Sequence, residues 1–437
     1  MNYCIIFSDS KLFLGGELKL GNKLIFREKL VRYNIKINIF NGIAAIIATN
    51  LVNPYFVKFA ERIGASDYQI AYLSSLPALI SVFALIPGGI LIDNFKDKKK
   101  ITGSIIFCHK LFYLFLAFVP FFNKNYQPWI FVLLVGFMNL PGSISIIGFQ
   151  SSIGDVFNIR DRGRAMGLRN KYSTIFGMLV AFVSGQLLTR IPNTNGETIV
   201  LYQIFFIIAF LIAQMEVFSY FKLRGIKSAK RVTGTSYWES LKHILHKDNL
   251  LKQKPFLIFT GCSLLFHFGW QMGWPLFNLY AVKYLEANEI WLSAITIASS
   301  ISSFLAYPIW AKLADRKGNS MMLSIATFGM AITPILYAIS GNLLSLVLFN
   351  IIIGISVSGT VLILFNILLE VVPDKNRTIY IALYNTLINI SATFSPIIGV
   401  AIKDKFTIYV ALIVVGCLRM IGSIAFFIRN KVVNNGN

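Results

Sequence analysis

Twelve long apolar stretches, separated by short charged clusters, constrain this chain more than any other feature of its sequence. Crossing the hydrocarbon core of a bilayer takes about 20 mostly apolar residues per helix. The stretches lack the polarity alternation of roughly ten-residue barrel strands. They therefore predict an all-α integral membrane protein with twelve transmembrane helices. The predicted helices 1 to 12 are Ile35–Phe59, Tyr68–Ile92, Ile101–Phe122, Trp129–Ile153, Tyr172–Leu188, Ile199–Phe221, Phe256–Tyr280, Ile290–Leu313, Met321–Ser340, Leu343–Leu369, Thr378–Ile402 and Phe406–Ile428.

The composition and the distribution of charge agree with this prediction. Of 437 residues, 56% are hydrophobic and 14% are charged, whereas soluble proteins have about 25% charged residues. With the N-terminus inside, the outer loops hold 7 of the 41 Lys and Arg, two lie within helices, and the inner segments hold the other 32. This bias predicts a multi-pass protein of the plasma membrane with both termini in the cytoplasm. It also explains the net charge of +22 without nucleic-acid binding.

A basic gap divides the apolar stretches into two groups of six. Within it, Ser236 and Glu239 have capping-box spacing, which is typical of a helix start. Both an amphipathic helix on the inner membrane surface and a solvated linker helix fit this segment. The predicted organisation is a cytoplasmic segment 1–34, a six-helix bundle 35–221, a basic linker 222–255, a second six-helix bundle 256–428 and a cytoplasmic tail 429–437.

Equivalent residues recur in the two groups at a nearly constant offset. Pro54 and Pro275 are 221 positions apart, and Asp93 and Asp315 are 222 apart. Several such matches in the same order argue for duplication. They predict two six-helix bundles related by pseudo-twofold symmetry, an architecture in which transporters bind their solute between the halves.

The loops at these positions resemble those of the major facilitator superfamily over nearly the whole chain. After predicted helix 8 the sequence reads AKLADRKGN, and Asp315, Arg316 and Gly318 match the family's G-x-x-x-D-R-x-G-R-R signature. The equivalent loop after helix 2 keeps the Gly and Asp93 but departs at the next positions. The loops after helices 4 and 10, with Arg162 and Arg377, also look like those of the family.

This resemblance implies a secondary transporter that works by alternating access. It places Asp93 against helix 11 and Asp315 against helix 5, in contacts that form only when the cytoplasmic side is closed. Such contacts would stabilise the outward-open state and break when the halves rock. The implied gating residues are Asp93, Asp155, Arg162, Asp315, Arg316, Glu370 and Arg377.

Polar and tryptophan side chains share one face of predicted helix 7. From His267 to Asn278 they follow one another at spacings of 3, 1, 3 and 4, which places them on one side of a helix. Such a face suits a wet cavity better than lipid, although hydrogen bonding between helices also explains an isolated Asn. The resemblance implies that helices 1, 4, 7 and 10 mainly line this cavity, with support from helices 2, 5, 8 and 11. The candidate substrate-binding residues are Asn50, Asn53, Asn139, His267, Trp270, Gln271, Trp274, Asn278, Asn385 and Asn389.

These features predict a secondary active transporter for a small neutral polar or anionic solute. Its predicted partners are that solute and the lipid bilayer; a coupling ion is left open, and the chain is expected to be a monomer without a cofactor. The sequence has no phosphate-binding loop and no soluble catalytic segment, so we do not expect an enzyme. A multidrug efflux pump and a non-transporting membrane receptor or assembly partner are the alternatives. Of two charged residues within helices, Lys110 is expected to be structural, and Arg419 is expected to snorkel to the inner face or to pair there.

Overall fold

The computed structural model describes residues 6–226, 253–373 and 377–435, so the predicted linker helix at Ser236 lies outside the described residues. The described part is almost entirely α-helical, as predicted. Its long helices are α1 Ile6–Val52, α2 Asp67–Asn94, α3 Lys98–Ala117, α4 Gln127–Val156, α5 Ile159–Arg190, α6 Asn195–Lys222, α7 Lys254–Leu279, α8 Glu289–Lys317, α9 Asn319–Ile339, α10 Leu343–Val371, α11 Arg377–Lys405 and α12 Ile408–Asn435.

Eleven of these helices are long and apolar enough to cross a membrane. The remaining one is α7, whose mean hydropathy is lowered by polar residues such as His267 and Gln271. Because α7 packs against α11 and α12, its polar groups have protein neighbours. The chain is thus a multi-pass membrane protein.

The first predicted helix differs from the structure at both ends. Helix α1 begins at Ile6 rather than Ile35 and ends at Val52. A 3₁₀ turn at Asn53–Tyr55 and a short helix at Phe56–Arg62 follow it. Pro54 lies in this turn and has no backbone N–H, so it cannot continue the α-helical hydrogen bonds. The following helix, α2, begins at Asp67, and the N-cap residue Ser66 forms a capping box with Gln69.

The same helix pairings occur in each half. In the first half, α1 packs against α5 and α6, and α2 against α4. In the second half, α7 packs against α11 and α12, and α8 against α10. The halves meet where α2 contacts α11 and where α5 contacts α8. We call the end of the bundle where α12 ends the terminal face, and the opposite end, where α2 and α8 begin, the far face.

Candidate functional site

An ion pair joins the two halves at the far face. The Nε and Nη2 atoms of Arg62 donate to Oε1 of Glu289 at 2.9 and 2.7 Å. The hydroxyl of Tyr202 donates to the same oxygen at 3.0 Å. The Glu289 side chain is only 1% exposed, whereas that of Arg62 is 21% exposed. This bridge therefore holds a buried carboxylate of the second half on a cation of the first.

In a second bridge at the same face, the first half supplies the carboxylate and the second half supplies the cations. The carboxylate of Asp67 accepts hydrogen bonds from Lys283 and Lys403. Lys283 lies 221 positions after Arg62, and Glu289 lies 222 positions after Asp67. These are the offsets of the internal repeat, so the two bridges are symmetry-equivalent. The sequence interpretation missed these five residues, although the repeat offset relates four of them.

Close packing between α5 and α8 also closes the far face. A Cβ atom added at Gly185 would lie 2.6 Å from the Ser293 hydroxyl and 2.8 Å from the Glu289 backbone oxygen. Only glycine permits this approach. Ser293 is consequently buried between the halves.

Nearer the terminal face, the same two helices separate around a cavity of about 970 Å³. Six of its polar lining residues make no side-chain hydrogen bond or ion pair with any residue that the structure describes: Asn170, Lys171, Thr174, Ser299, Ser300 and Tyr307. Apolar groups, including Phe304 and Leu305, complete the lining. The halves are therefore joined at the far face, where a cavity of only about 230 Å³ adjoins Arg62 and Glu289, and a larger cavity lies between them on the terminal side.

The predicted gating residues of the first half lie at the terminal face and bond within their own half. Asp155 forms an ion pair with Lys98 at 2.8 Å. Arg162 is exposed and donates to the Gly154 carbonyl at 3.1 Å. The Asp93 side chain lies outside the described side chains.

The equivalent gating residues of the second half also form no bond to the first half among the described residues. Glu370 accepts a hydrogen bond from Asn319, and both belong to that half. Asp315 and Arg316 are exposed, and the side chain of Arg377 lies outside the described ones. None of the described gating side chains forms a hydrogen bond or ion pair with a described residue of the other half.

The predicted face of α7 is divided between packing and exposure. Gln271 is buried and donates to the Ile388 carbonyl of α11 at 3.1 Å, while its Oε1 atom has no partner among the described residues. His267 bonds the Ser263 carbonyl through Nδ1 at 2.8 Å, and its ring lies 5.4 Å from that of Trp270. Trp274 and Asn278 are exposed.

Three of the seven predicted Asn and Gln side chains donate to a carbonyl of their own helix. Asn139 donates to Val135, Asn278 to Trp274 and Asn389 to Asn385, each four residues earlier. Asn53 and Asn385 are exposed. The amide nitrogen of Asn50 lies against Gly177 of α5. The structure thus brings Asn50 and Gln271, which the repeat relates, to equivalent helix contacts.

Arg419 is fully buried in α12 and binds backbone carbonyls of two other helices. It donates to Gly269 and Trp270 of α7 at 3.3 and 3.1 Å, and to Met330 of α9 at 3.0 Å. Four residues after Met330 comes Pro334, which has no N–H for that carbonyl. Arg419 therefore supplies the hydrogen bond that Pro334 removes, and it is buried among helices instead of reaching the inner face as the sequence suggested.

Replacing Arg419 with Met should destabilise the fold by about 2 kcal/mol, because a buried carbonyl loses its donor. Pro334→Ala should recover part of this loss, since alanine restores an N–H to the Met330 carbonyl. Detergent-induced unfolding measures both variants, with Lys222→Met at the end of α6 as the control. Equal stability of Arg419→Met and the wild type would contradict this role.

The second predicted intramembrane cation also has a buried partner. Lys110 of α3 lies 3.0 Å from the Glu216 carboxylate of α6, and the two side chains are 6% and 13% exposed. The backbone carbonyl of Glu216 accepts a hydrogen bond from Asn41 of α1. The ion pair joins α3 to α6, the Asn41 hydrogen bond joins α6 to α1, and neither Lys110 nor Glu216 lines the cavity.

A family model described as Major Facilitator Superfamily matches residues 39–280 and 259–437. The chain belongs to the major facilitator superfamily. This confirms the resemblance seen in the loops, and the two matches divide the chain into the two halves of the repeat.

Two curated proteins each match part of the chain. Multidrug resistance protein MdtG of Proteus mirabilis (strain HI4320) is 27% identical over 164 residues, which is 37% of this chain and 40% of that protein. A protein called an uncharacterized transporter in Buchnera aphidicola subsp. Schizaphis graminum (strain Sg) is 24% identical over 196 residues, 44% of this chain and 46% of that protein. The chain spans less than half the length of these curated relatives.

Solved major facilitator structures share the fold over nearly the whole chain. The nucleoside transporter NupG is 16% identical with a TM-score of 0.69, over 91% of this chain and 99% of that one. A POT family transporter in complex with a thioalcohol-conjugated peptide is 11% identical with a TM-score of 0.67, over 91% and 96%. At these identities the likeness concerns the fold alone.

Proposed function

We propose that this major facilitator protein is a secondary active transporter that works by alternating access. One observation carries the proposal: two repeat-related bridges close the far face while a polar cavity lies on the terminal side. A wet cavity enclosed at one end by contacts between two symmetric halves is what alternating access requires. The predicted solute is small and neutral polar or anionic. The monomeric state stays a prediction from the sequence, which does not decide whether transport is coupled to an ion.

The charge distribution supports placing the terminal face in the cytoplasm. With that orientation, the positive-inside rule is obeyed by 32 of the 41 Lys and Arg. The structure then corresponds to an inward-open state in a plasma-membrane protein with cytoplasmic termini. The far-face bridges would break, and the terminal-face loops would meet, when the halves rock.

Two serines on one face of α8 allow a direct test of alternating access. Ser293 is buried between the halves, and Ser300, two helical turns later, lines the cavity. In a background without the four native cysteines, Ser293→Cys and Ser300→Cys are labelled with an impermeant maleimide from each side. We expect Ser300→Cys to react from the terminal side in the resting protein. Conditions that increase labelling of Ser293→Cys from the far side should decrease labelling of Ser300→Cys from the terminal side.

The outcome separates transport from the receptor alternative. Reciprocal labelling at the two positions supports a transporter, whereas labelling that stays fixed under solutes, ion gradients and bridge-breaking substitutions favours a receptor or assembly partner. Exposure of Ser300→Cys only to the far side would reverse the proposed orientation.

Multidrug efflux is the second candidate, because the Proteus mirabilis relative bears the name multidrug resistance protein. The aromatic side chains of Phe304 and Tyr307 in the cavity lining are compatible with it. Growth and dye-accumulation assays with and without expression test this candidate. Unchanged drug sensitivity and dye content on expression would count against it.

A further inference from the structure

The cavity between α5 and α8 has an unusual chemical lining for a membrane protein. Both helices contribute hydroxyl or amide groups, Lys171 of α5 contributes a cation, and exposed apolar side chains of α8 complete the lining. Its volume of about 970 Å³ lies at the upper end of the range for small-molecule sites. From this combination we propose that the cavity binds an amphipathic organic anion, with Lys171 as the anchor of its negative group.

The charge of Lys171 is the first argument. No Asp or Glu is among the described residues that line the cavity. Lys171 forms no ion pair with any described residue, unlike the far-face lysines Lys283 and Lys403. A lone cation in a partly enclosed site favours an anionic group and disfavours a cationic one. Entry of an anion would neutralise this charge without breaking an existing bond.

The second argument is the unused hydrogen-bonding capacity around Lys171. Asn170 precedes it on α5, and Ser299 and Ser300 lie opposite on α8. Their side chains have no protein partner among the described residues, whereas the nearby Ser303 already donates to Gly354 at 2.8 Å. Hydroxyl and amide groups can donate to a carboxylate or sulfonate oxygen. The polar side of the cavity therefore fits the head of such a ligand.

The third argument is the apolar part of the lining. Leu305 is 60% exposed, and Phe304 and Tyr307 are about 40% exposed. These side chains adjoin Pro308 in the same cavity. They provide a surface for a hydrocarbon or aromatic body. A purely polar solute would leave this surface in contact with water.

This inference rests on the proposed transport function and adds a substrate class to it. The sequence interpretation placed substrate contacts mainly on helices 1, 4, 7 and 10, with Asn385 and Asn389 on helix 11. Among the described residues that line this cavity, the polar groups without a side-chain partner lie instead on α5 and α8. Lys171 would be the residue that distinguishes an anion from the corresponding neutral compound.

The test uses the full chain in detergent and three matched probes: 2-naphthoate, the neutral 2-naphthamide and the cation 2-naphthylmethylammonium. Isothermal titration should show binding of 2-naphthoate at least about tenfold tighter than the other two, because a charge-assisted hydrogen bond is lost in them. Lys171→Met should abolish this preference and Lys171→Arg should retain it. Lys222→Met, which removes a lysine outside the cavity, should leave it unchanged.

Other outcomes overturn the inference. Equal affinity for the three probes, or an unchanged preference in Lys171→Met, would reject Lys171 as an anion anchor. Saturable stabilisation by phosphatidylglycerol that displaces 2-naphthoate would assign the site to a lipid headgroup instead of a solute. Reciprocal labelling of Ser293→Cys and Ser300→Cys without Lys171-dependent binding would reject this ligand and leave transport standing. Lys171-dependent binding with fixed labelling would keep the site and reject transport.

Discussion

Arg62→Met should open the far face, with labelling of Ser293→Cys from that side increasing roughly 100-fold. The substitution leaves the Glu289 carboxylate buried without its cation, which costs about 3–5 kcal/mol in the closed state. An opened far face lets water reach this carboxylate, so the equilibrium shifts toward that state. The rate of maleimide labelling in a cysteine-free background measures the shift.

The burial of each partner predicts an order of effects. Glu289→Gln should act more weakly than Arg62→Met, because the remaining Arg62 is 21% exposed and can be hydrated. Asp67→Asn should also act more weakly, since the second bridge is more exposed to water. The control is Lys58→Met, which breaks a pair with Glu61 within one short helix at the same face. Unchanged Ser293→Cys labelling in a combined Arg62→Met and Asp67→Asn variant would rule out a gate at this position.

The second large effect is expected from the buried pair between α3 and α6. Lys110→Met should destabilise the protein by about 3–5 kcal/mol, because it leaves Glu216 buried without its cation. Combining it with Glu216→Gln should restore part of the stability, since no unpaired carboxylate remains, although the nearby Arg169 loses its acidic neighbour. Denaturation by sodium dodecyl sulfate, followed by tryptophan fluorescence, measures the three variants.

This double substitution distinguishes charge compensation from simple loss of packing. If Lys110 acted only through its hydrocarbon chain, Glu216→Gln would give no recovery, because the volume lost at Lys110 would be the same. Lys222→Met, whose ammonium group lies over the Phe218 ring near the end of α6, serves as the control. A double variant less stable than Lys110→Met would contradict compensation.

Much of the fold could be predicted from hydrophobic length and charge alone. Twelve apolar stretches account for the helices, and the 221-residue offset accounts for the paired halves. The exceptions have physical causes. The apolar stretch containing Pro54 continues to Phe59, but proline interrupts the hydrogen bonds of its helix. The N-terminal extension of α1 has no long apolar run, so hydropathy does not reveal it.

The candidate site was harder to predict, because polarity within one helix does not reveal what lies opposite. His267 and Gln271 share a face as predicted, yet each bonds a backbone carbonyl, one on α7 and one on α11. Serines such as Ser299 and Ser300 are common where membrane helices pack together, so the sequence alone does not mark them as ligand-binding residues. Their importance depends on the separation of α5 and α8, which only the folded chain determines.

The crossed arrangement of the far-face bridges has a genetic consequence. Two identical chains packed about a twofold axis would make both bridges with one basic and one acidic position, so a single mutation would remove both. Here the positions are encoded separately, and they already differ: Arg62 corresponds to Lys283, and Asp67 to Glu289. Because both halves lie in one chain, a mutation can change one bridge without changing the other. The strengths of the two bridges can therefore diverge during evolution.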